Sequence, residues 1–210
     1  MTELSIQRES YPLTRSARQE ISRVLADAFS EDQAMITMMG RARWQRISRR
    51  FFETQLHHSD TFLTARRSDR IIGVLVARSP ECQVSLHQVL ISPILIRLLL
   101  GRHHATSHAL GQEISAMLPA AKHWYINHLG IVRHHQGSGL GAMLLSELRA
   151  QAPVATLWVD CESELEHFYT RQSYKVFGRC GEDTLLVMNF EPSGLLSPNA
   201  ELETLISEEL

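Results

Sequence analysis

Lysine is nearly missing from this chain of 210 residues: among its 21 basic side chains only Lys122 and Lys175 are lysines, the rest being arginines. Against them stand 23 acidic residues, and the net charge of −2 gives no electrostatic reason to expect a nucleic-acid partner. Cysteine is scarce as well. Cys82, Cys161 and Cys180 are widely spaced and odd in number, which argues against a disulfide framework or a zinc ribbon and for unpaired thiols in a reducing compartment. There is no long apolar run either: Val89 to Leu100 is broken by Ser92, Pro93 and Arg97 and falls short of the roughly 20 residues that a membrane-spanning helix needs. The opening MTELSIQRES has neither the basic nor the apolar region of a secretory signal, so the expected location is the cytoplasm, with no membrane contact. What is present is ordinary for a globular protein. Hydrophobic residues make up 44% and charged residues 21%, which excludes disordered and collagenous classes; the length suits one large domain.

Apolar periodicity organises the chain. Ala17, Ile21, Val24, Leu25, Ala28 and Phe29 recur at helical spacing, and Ser16 with Gln19 reads as a capping box that starts the helix. A bend is expected over FSEDQAMITMMG, then a helix from Arg41 to His57 with Trp44, Ile47, Phe51 and Phe52 inside. Its arginines, Arg41, Arg43, Arg46, Arg49 and Arg50, read as a solvated face, with an anion-binding surface as the alternative. Thr61 to Arg66 and Ile71 to Ala77 read as two strands. Ser92 and Pro93 have the chemistry of a helix start, and the apolar helix after them is expected to be buried in the core, or else to form an oligomer contact. Another helical stretch ends at Pro119. His123 to Val132 and Val154 to Val159 read as strands, Ser138 to Gln151 and Ser163 to Arg171 as helices, and Tyr174 to Arg179 with Thr184 to Phe190 as a closing hairpin. Residues 1–190 then form the domain, and 191–210 an acidic, flexible tail in which Leu202, Leu205 and Ile206 offer a short docking helix.

The segment VRHHQGSGLGAMLL, Val132 to Leu145, carries the most chemistry: a strand, a polar loop, three glycines at alternate positions and an amphipathic helix. A helix N-terminus offers unpaired N–H groups and partial positive charge, and glycines let that backbone approach an anion, so the segment reads as a pyrophosphate cradle. No lysine lies near it, which excludes a nucleoside-triphosphatase loop. Gly137, Gly139 and Ala142 satisfy Gly-x-Gly-x-x-Ala, and Asp160 ends the next strand, so a dinucleotide-binding oxidoreductase stays open. Against it, Arg133, His134, His135 and Gln136 separate the glycines from their strand.

Gln136, Gly139 and Gly141 also fit the pattern Gln/Arg-x-x-Gly-x-Gly/Ala. Together with Trp124, Tyr125, Leu129, Gly130 and Ile131 upstream and FYTRQSY downstream, they resemble the GNAT family of N-acetyltransferases over the last third of the chain. Two departures stand out: Ser173 where that family has glycine, and Tyr174 where it has phenylalanine. The acidic stretch Glu162 to Glu166 also replaces an asparagine near the start of the short helix. The resemblance implies an α/β fold, with a mixed, mostly antiparallel twisted sheet, helices on both faces and a single domain. It implies acetyl-CoA as cosubstrate, with Leu129, Gly130 and Ile131 along the pantetheine arm, a bulge at Gly130, and Gln136, Gly137, Ser138, Gly139, Leu140, Gly141 and Ala142 at the pyrophosphate. The acetyl group would pass to a primary amine by direct attack in a ternary complex, the acceptor being a small molecule, a peptide or a protein, and the enzyme a monomer or homodimer.

In that reading Tyr169 is the acid for the departing thiolate, since a phenol with pKa about 10 is protonated at neutral pH. The acceptor ammonium must lose a proton first. Glu31 and His128 are the named candidates to take it, among Asp32, Asp160 and Glu162 as well. A catalytically silent CoA-binding module is a further alternative. The histidine pairs His57/His58, His103/His104 and His134/His135 diverge on either a strand or a helix, and no HExxH is present, so no metal is expected.

Overall fold

The computed structural model describes residues 4–83, 86–121, 123–181 and 184–192. In chain order the elements are β1 (Leu4–Arg8), α1 (Arg15–Ala28), α2 (Gln33–Met39), α3 (Arg41–Gln55), β2 (Thr61–Arg67), β3 (Arg70–Arg78), α4 (Leu86–Leu100) and α5 (His104–Met117). They are followed by β4 (Trp124–Ile131), α6 (Leu140–Gln151), β5 (Leu157–Glu162), α7 (Glu166–Thr170), β6 (Lys175–Cys180) and β7 (Leu185–Phe190). The strands form one sheet in the order β1-β2-β3-β4-β5-β7-β6. Every neighbouring pair is antiparallel except β4 and β5. A parallel dinucleotide-binding sheet is therefore not the architecture, and the mixed sheet with helices on both faces is.

Strand alternation sorts the core into two layers. Leu63, Ala65, Leu75, Ala77, Ile126, Leu157 and Val159 point to one face and bury α6 through Leu140, Leu144, Leu145 and Leu148. On the other face Phe62, Val74 and Val76 hold α1 and α3 through Ile21, Leu25, Trp44 and Phe52. Farther along that second face, Trp158 and Val187 hold α5 through Ile114. Trp44 anchors α3 by donating its indole N–H to the Phe29 carbonyl at 2.7 Å.

Several elements depart from the sequence reading, each for a local reason. The cap of α1 is Thr14, whose hydroxyl accepts from the Ala17 N–H at 3.2 Å, two residues before the expected Ser16. The expected bend holds α2, because the Asp32 carboxylate caps it by accepting from the Met35 N–H at 2.7 Å and Gly40, at φ 85°, ends it. Pro93 lies inside α4 instead of opening it: a proline removes a single helical donor, and the long aliphatic run carries the helix past it. That helix is not enclosed by the core either, since Ile94 is 60% and Leu98 71% exposed while Leu100 is buried. Pro153 and Val154 belong to a turn closed by the Ala155 N–H on the Ala152 carbonyl, which delays β5 to Leu157. The first strand, β1, escaped placement because it is a sheet edge with little buried apolar surface. Leu202, Leu205 and Ile206 lie outside the described residues, as does the turn at 182–183.

Candidate active site

The site begins with a fork in the sheet. β4 and β5 pair only over Trp124–Ile126 with Leu157–Val159. Beyond Ile126, β4 continues to Ile131 on β3 alone, while β5 continues to Glu162 on β7. The edge of β4 that faces the fork thus carries backbone groups with no strand partner.

One extra residue sets which side chains look into the fork. The β3–β4 register pairs Val76 with His128 but Ala77 with Ile126, leaving Asn127 as a bulge. The expected bulge at Gly130 is therefore corrected to Asn127, and Gly130 pairs regularly with Val74. Glycine at 130 answers a packing need: a Cβ there would sit 3.0 Å from both Ala28 and Leu25 of α1. Because of the bulge, Tyr125 and His128 share the α1/α5 face although three residues apart. Asn127 turns its amide to the Ser59 hydroxyl at 2.5 Å.

At the open end of β4 the chain enters the glycine loop. Gln136 donates from Nε2 to the Ile131 carbonyl at 3.1 Å, and the Arg133 N–H donates to Asp27 at 2.9 Å, so both ends of the loop are tied. Gly137 (φ 74°) and Gly139 (φ 83°) take left-handed conformations that side chains rarely adopt, and a Cβ at either would meet nothing within 4 Å. Gly139 caps α6 without a side-chain bond, so Ser138 lies in the loop and not in the helix; its hydroxyl donates to the His135 carbonyl. Among the described residues no acceptor faces the backbone N–H groups of Gly137, Ser138, Gly139, Leu140, Gly141 and Ala142. Six such donors at a helix N-terminus, with open space in front of the glycines, fit a diphosphate. The third glycine, Gly141, serves packing: its Cβ would be 3.1 Å from the Phe168 ring of α7.

Tyr169 follows Phe168 and lies in the α6 layer, its ring 5.4 Å from Tyr174 and 5.0 Å from Phe168. Burial, then the neighbouring Cys161, Tyr174 and Asp160, hold its hydroxyl well above the usual phenol pKa, so it stays protonated. The turn behind it is glycine-like without a glycine. Ser173 sits at φ 64°, its N–H donating to the Thr170 carbonyl, while the Tyr174 N–H donates to Tyr169. These two bonds make a Schellman helix end with serine in the left-handed position. Ser173→Gly should raise unfolding stability by about 0.5–1 kcal/mol, read as a denaturation-midpoint increase, because it removes the Cβ penalty of that conformation.

On the opposite face the acidic groups gather. Asp160, the first residue of β5 beyond its pairing with β4, accepts a short hydrogen bond from the Tyr125 hydroxyl, and the Arg78 guanidinium stacks 5.7 Å over the Tyr125 ring. Burial raises the Asp160 pKa and the Tyr125 bond opposes it. Glu162 ends β5 and accepts from the Ala34 N–H at 3.2 Å, tying the start of α2 across the fork. Asp32 is pushed up to about 6, first by burial and then by the Glu162 charge. Glu31 is taken by two arginines, forming a short ion pair with Arg41 and one of 3.6 Å with Arg133. His128 lies among the rings of Phe52 (5.2 Å) and Phe29 (6.2 Å), and burial lowers its pKa to about 4, leaving a neutral imidazole at pH 7. Tyr125 was legible in the sequence only as a strand aromatic. Its partnership with Asp160 depends on the parallel register of β4 and β5, which sequence patterning does not carry.

Among the described residues no group of three or more His, Cys, Asp or Glu is arranged to hold a metal ion. No helix there is long and apolar enough to cross a membrane.

Solved structures share this fold. No curated protein matches the chain in sequence. Among solved structures, the histone acetyltransferase HPA2 and related acetyltransferase from Corynebacterium glutamicum superposes with a TM-score of 0.64 at 19% identity, covering 94% of this chain and 100% of that one. A GNAT family acetyltransferase from Brucella melitensis in complex with acetyl-CoA gives 0.50 at 14% identity over 91% of each chain. The PaiA N-acetyltransferase from Thermoplasma acidophilum in complex with coenzyme A gives 0.50 at 11% identity, covering 89% of this chain and 99% of that one. These likenesses are of fold. The family model for the acetyltransferase (GNAT) family matches residues 20–178, a span from α1 to β6 that contains the fork, the glycine loop and Tyr169, and the chain belongs to that family.

Proposed function

We propose that the protein transfers an acetyl group from acetyl-CoA to a primary amine by direct attack in a ternary complex, with residues 1–190 as the catalytic unit. The observation that carries this reading is the row of six amides, Gly137 to Ala142, without a partner among the described residues, beside the fork between β4 and β5. Acetyl-CoA supplies the activated acyl group. The loop grips its diphosphate, and the unpaired edge of β4 over Leu129, Gly130 and Ile131 receives the pantetheine arm and offers an N–H to the thioester carbonyl. The Brucella and Thermoplasma structures hold acetyl-CoA and CoA, which supports the same cosubstrate here.

Tyr169 gives its proton to the departing thiolate. Its raised pKa does not disqualify it, because the thiolate leaves in the same sheltered surroundings, where its own proton affinity rises too. Glu31 and His128 suit proton removal from the acceptor less well. Two guanidiniums occupy Glu31, and an imidazole whose pKa is near 4 is a weak base. Glu31 instead fixes Arg133 at the start of the loop. The unpaired thiols of Cys82, Cys161 and Cys180 suit the cytoplasm, where acetyl-CoA is made and used.

Parallel calorimetric titrations with acetyl-CoA and NADH test the reading, followed by release of free thiol in the presence of an alkylamine panel. Acetyl-CoA is expected to bind, NADH not, and thiol release to depend on amine. Binding without amine-dependent thiol release would leave a silent CoA module, and no binding would overturn the cosubstrate.

A further inference from the structure

On the α1/α5 face of the fork, opposite the layer that holds Tyr169, one carboxylate stands at the apex. Asp160 is where β5 first parts from β4, and Tyr125 lies within the last paired stretch of β4. Parallel pairing puts Tyr125 beside Trp158, one strand step from Asp160 on the same face, and the phenol reaches across to the carboxylate. Arg78, cross-strand from Tyr125, covers the ring. This is a carboxylate held on a pair of strands, its one side-chain donor among the described residues a neutral hydroxyl.

We propose that Asp160, oriented by Tyr125, takes the proton from the ammonium of a cationic alkylamine acceptor, an assignment that rests on the acetyl transfer proposed above. One proton passes from the ammonium to the Asp160 carboxylate and on to water. The freed lone pair forms the N–C bond, and the C–S bond breaks. Tyr169 protonates the thiolate, and the second nitrogen proton, lost as the amide forms, restores the tyrosine. The balance is one amide, one thiol and one proton released. Asp32 and Glu162, at the mouth of the same face, add negative charge that draws a cation in.

The groups around Asp160 are Tyr125 on β4 and Cys180 on β6, which share its face, with Arg78 beyond Tyr125 and Glu113 of α5 beyond Cys180, while Cys161 and Tyr169 feel its charge from the other side of the sheet. The two thiols and the two phenols are all raised above their ordinary pKa values and keep their protons near neutrality. Asp160 itself, raised by burial, must be ionised to work, so activity falls on the acid side. Tyr125 stabilises the ionised form, and its removal moves that limb to higher pH.

The test compares wild type, Asp160→Asn and Tyr125→Phe in acetyl-CoA titration and in pH profiles of transfer to an alkylamine and to an aniline, which is already neutral at pH 7. Asp160→Asn should lose about 100-fold in alkylamine transfer and its acid limb, keep acetyl-CoA affinity, and spare the aniline, because only the cation needs a base. Tyr125→Phe should shift the acid limb upward, so that alkylamine transfer at neutral pH falls more than aniline transfer does. Equal loss toward both amines in Asp160→Asn, unchanged alkylamine transfer, or an unmoved limb in Tyr125→Phe would overturn the assignment while leaving acetyl transfer intact. Should Asp160→Asn fail to fold, the limb of Tyr125→Phe decides. A wild type that neither binds acetyl-CoA nor transfers to any amine overturns both proposals.

Discussion

Tyr169→Phe should lower turnover by about 100-fold or more while leaving acetyl-CoA affinity within a few fold and the unfolding midpoint nearly unchanged. The large kinetic effect is the usual loss when a positioned acid is removed. The small structural effect follows from the site: the ring is locked between Phe168 and Tyr174, so phenylalanine fills the same space. The hydroxyl that is lost makes no hydrogen bond to the described residues, so deleting it leaves no protein donor or acceptor unpaired. Because the phenol is held well above its ordinary pKa, the wild-type profile should show no alkaline fall from this group below about pH 10. Steady-state kinetics at saturating acetyl-CoA with a calorimetric Kd checks both halves, and unchanged turnover would remove the assigned acid.

Gly139→Val should weaken acetyl-CoA binding about tenfold or more, with turnover at saturating cosubstrate much less affected. The reason is backbone geometry and not a clash, since nothing lies within 4 Å of the new Cβ. At φ 83° a β-branched residue pays about 1–2 kcal/mol. If the loop keeps its shape, that amount appears as lost stability. If it relaxes, the amides turn from the diphosphate, and 1.4 kcal/mol corresponds to a factor of ten in Kd. Titration calorimetry and a denaturation midpoint on the same preparation separate the two. A variant with wild-type affinity and wild-type stability would show that the left-handed cap does not matter.

How much of this was readable beforehand follows from what kind of information each feature needs. Strands β2 and β3, helix α3 and the β6–β7 hairpin are written in local hydrophobic period, and they lie within a residue or two of where that period puts them. The glycine loop was readable because its requirement is local too: Gly137 and Gly139 need left-handed backbone whatever packs around them. α2 escaped because its stability comes from the Asp32 cap and the contact with Glu162, a partner 128 positions away from Ala34. The exposure of α4 has another reason, since an apolar composition does not say which side of a helix finds the core. Of the site, Tyr169 could be named from the pattern around it, but the Tyr125–Asp160 pair could not. It needs the parallel register of β4 on β5, which leaves no mark in the order of residues.

The extra residue in β4 sits between two halves that each pair regularly with β3. Were Asn127 deleted, the ladder would become regular with Ile126 still opposite Ala77 and His128 still opposite Val76, so Tyr125 and His128, then two residues apart, would keep the same face; what would go is the Asn127 amide on Ser59 and the local twist of the bulge. The C-terminal half, with the cosubstrate-facing edge and the loop beyond it, would keep its alignment on β3. The bulge is therefore a position where β4 can shed one residue, and with it the tie to Ser59, without turning either the amine-facing or the thioester-facing side chains to the wrong side of the sheet.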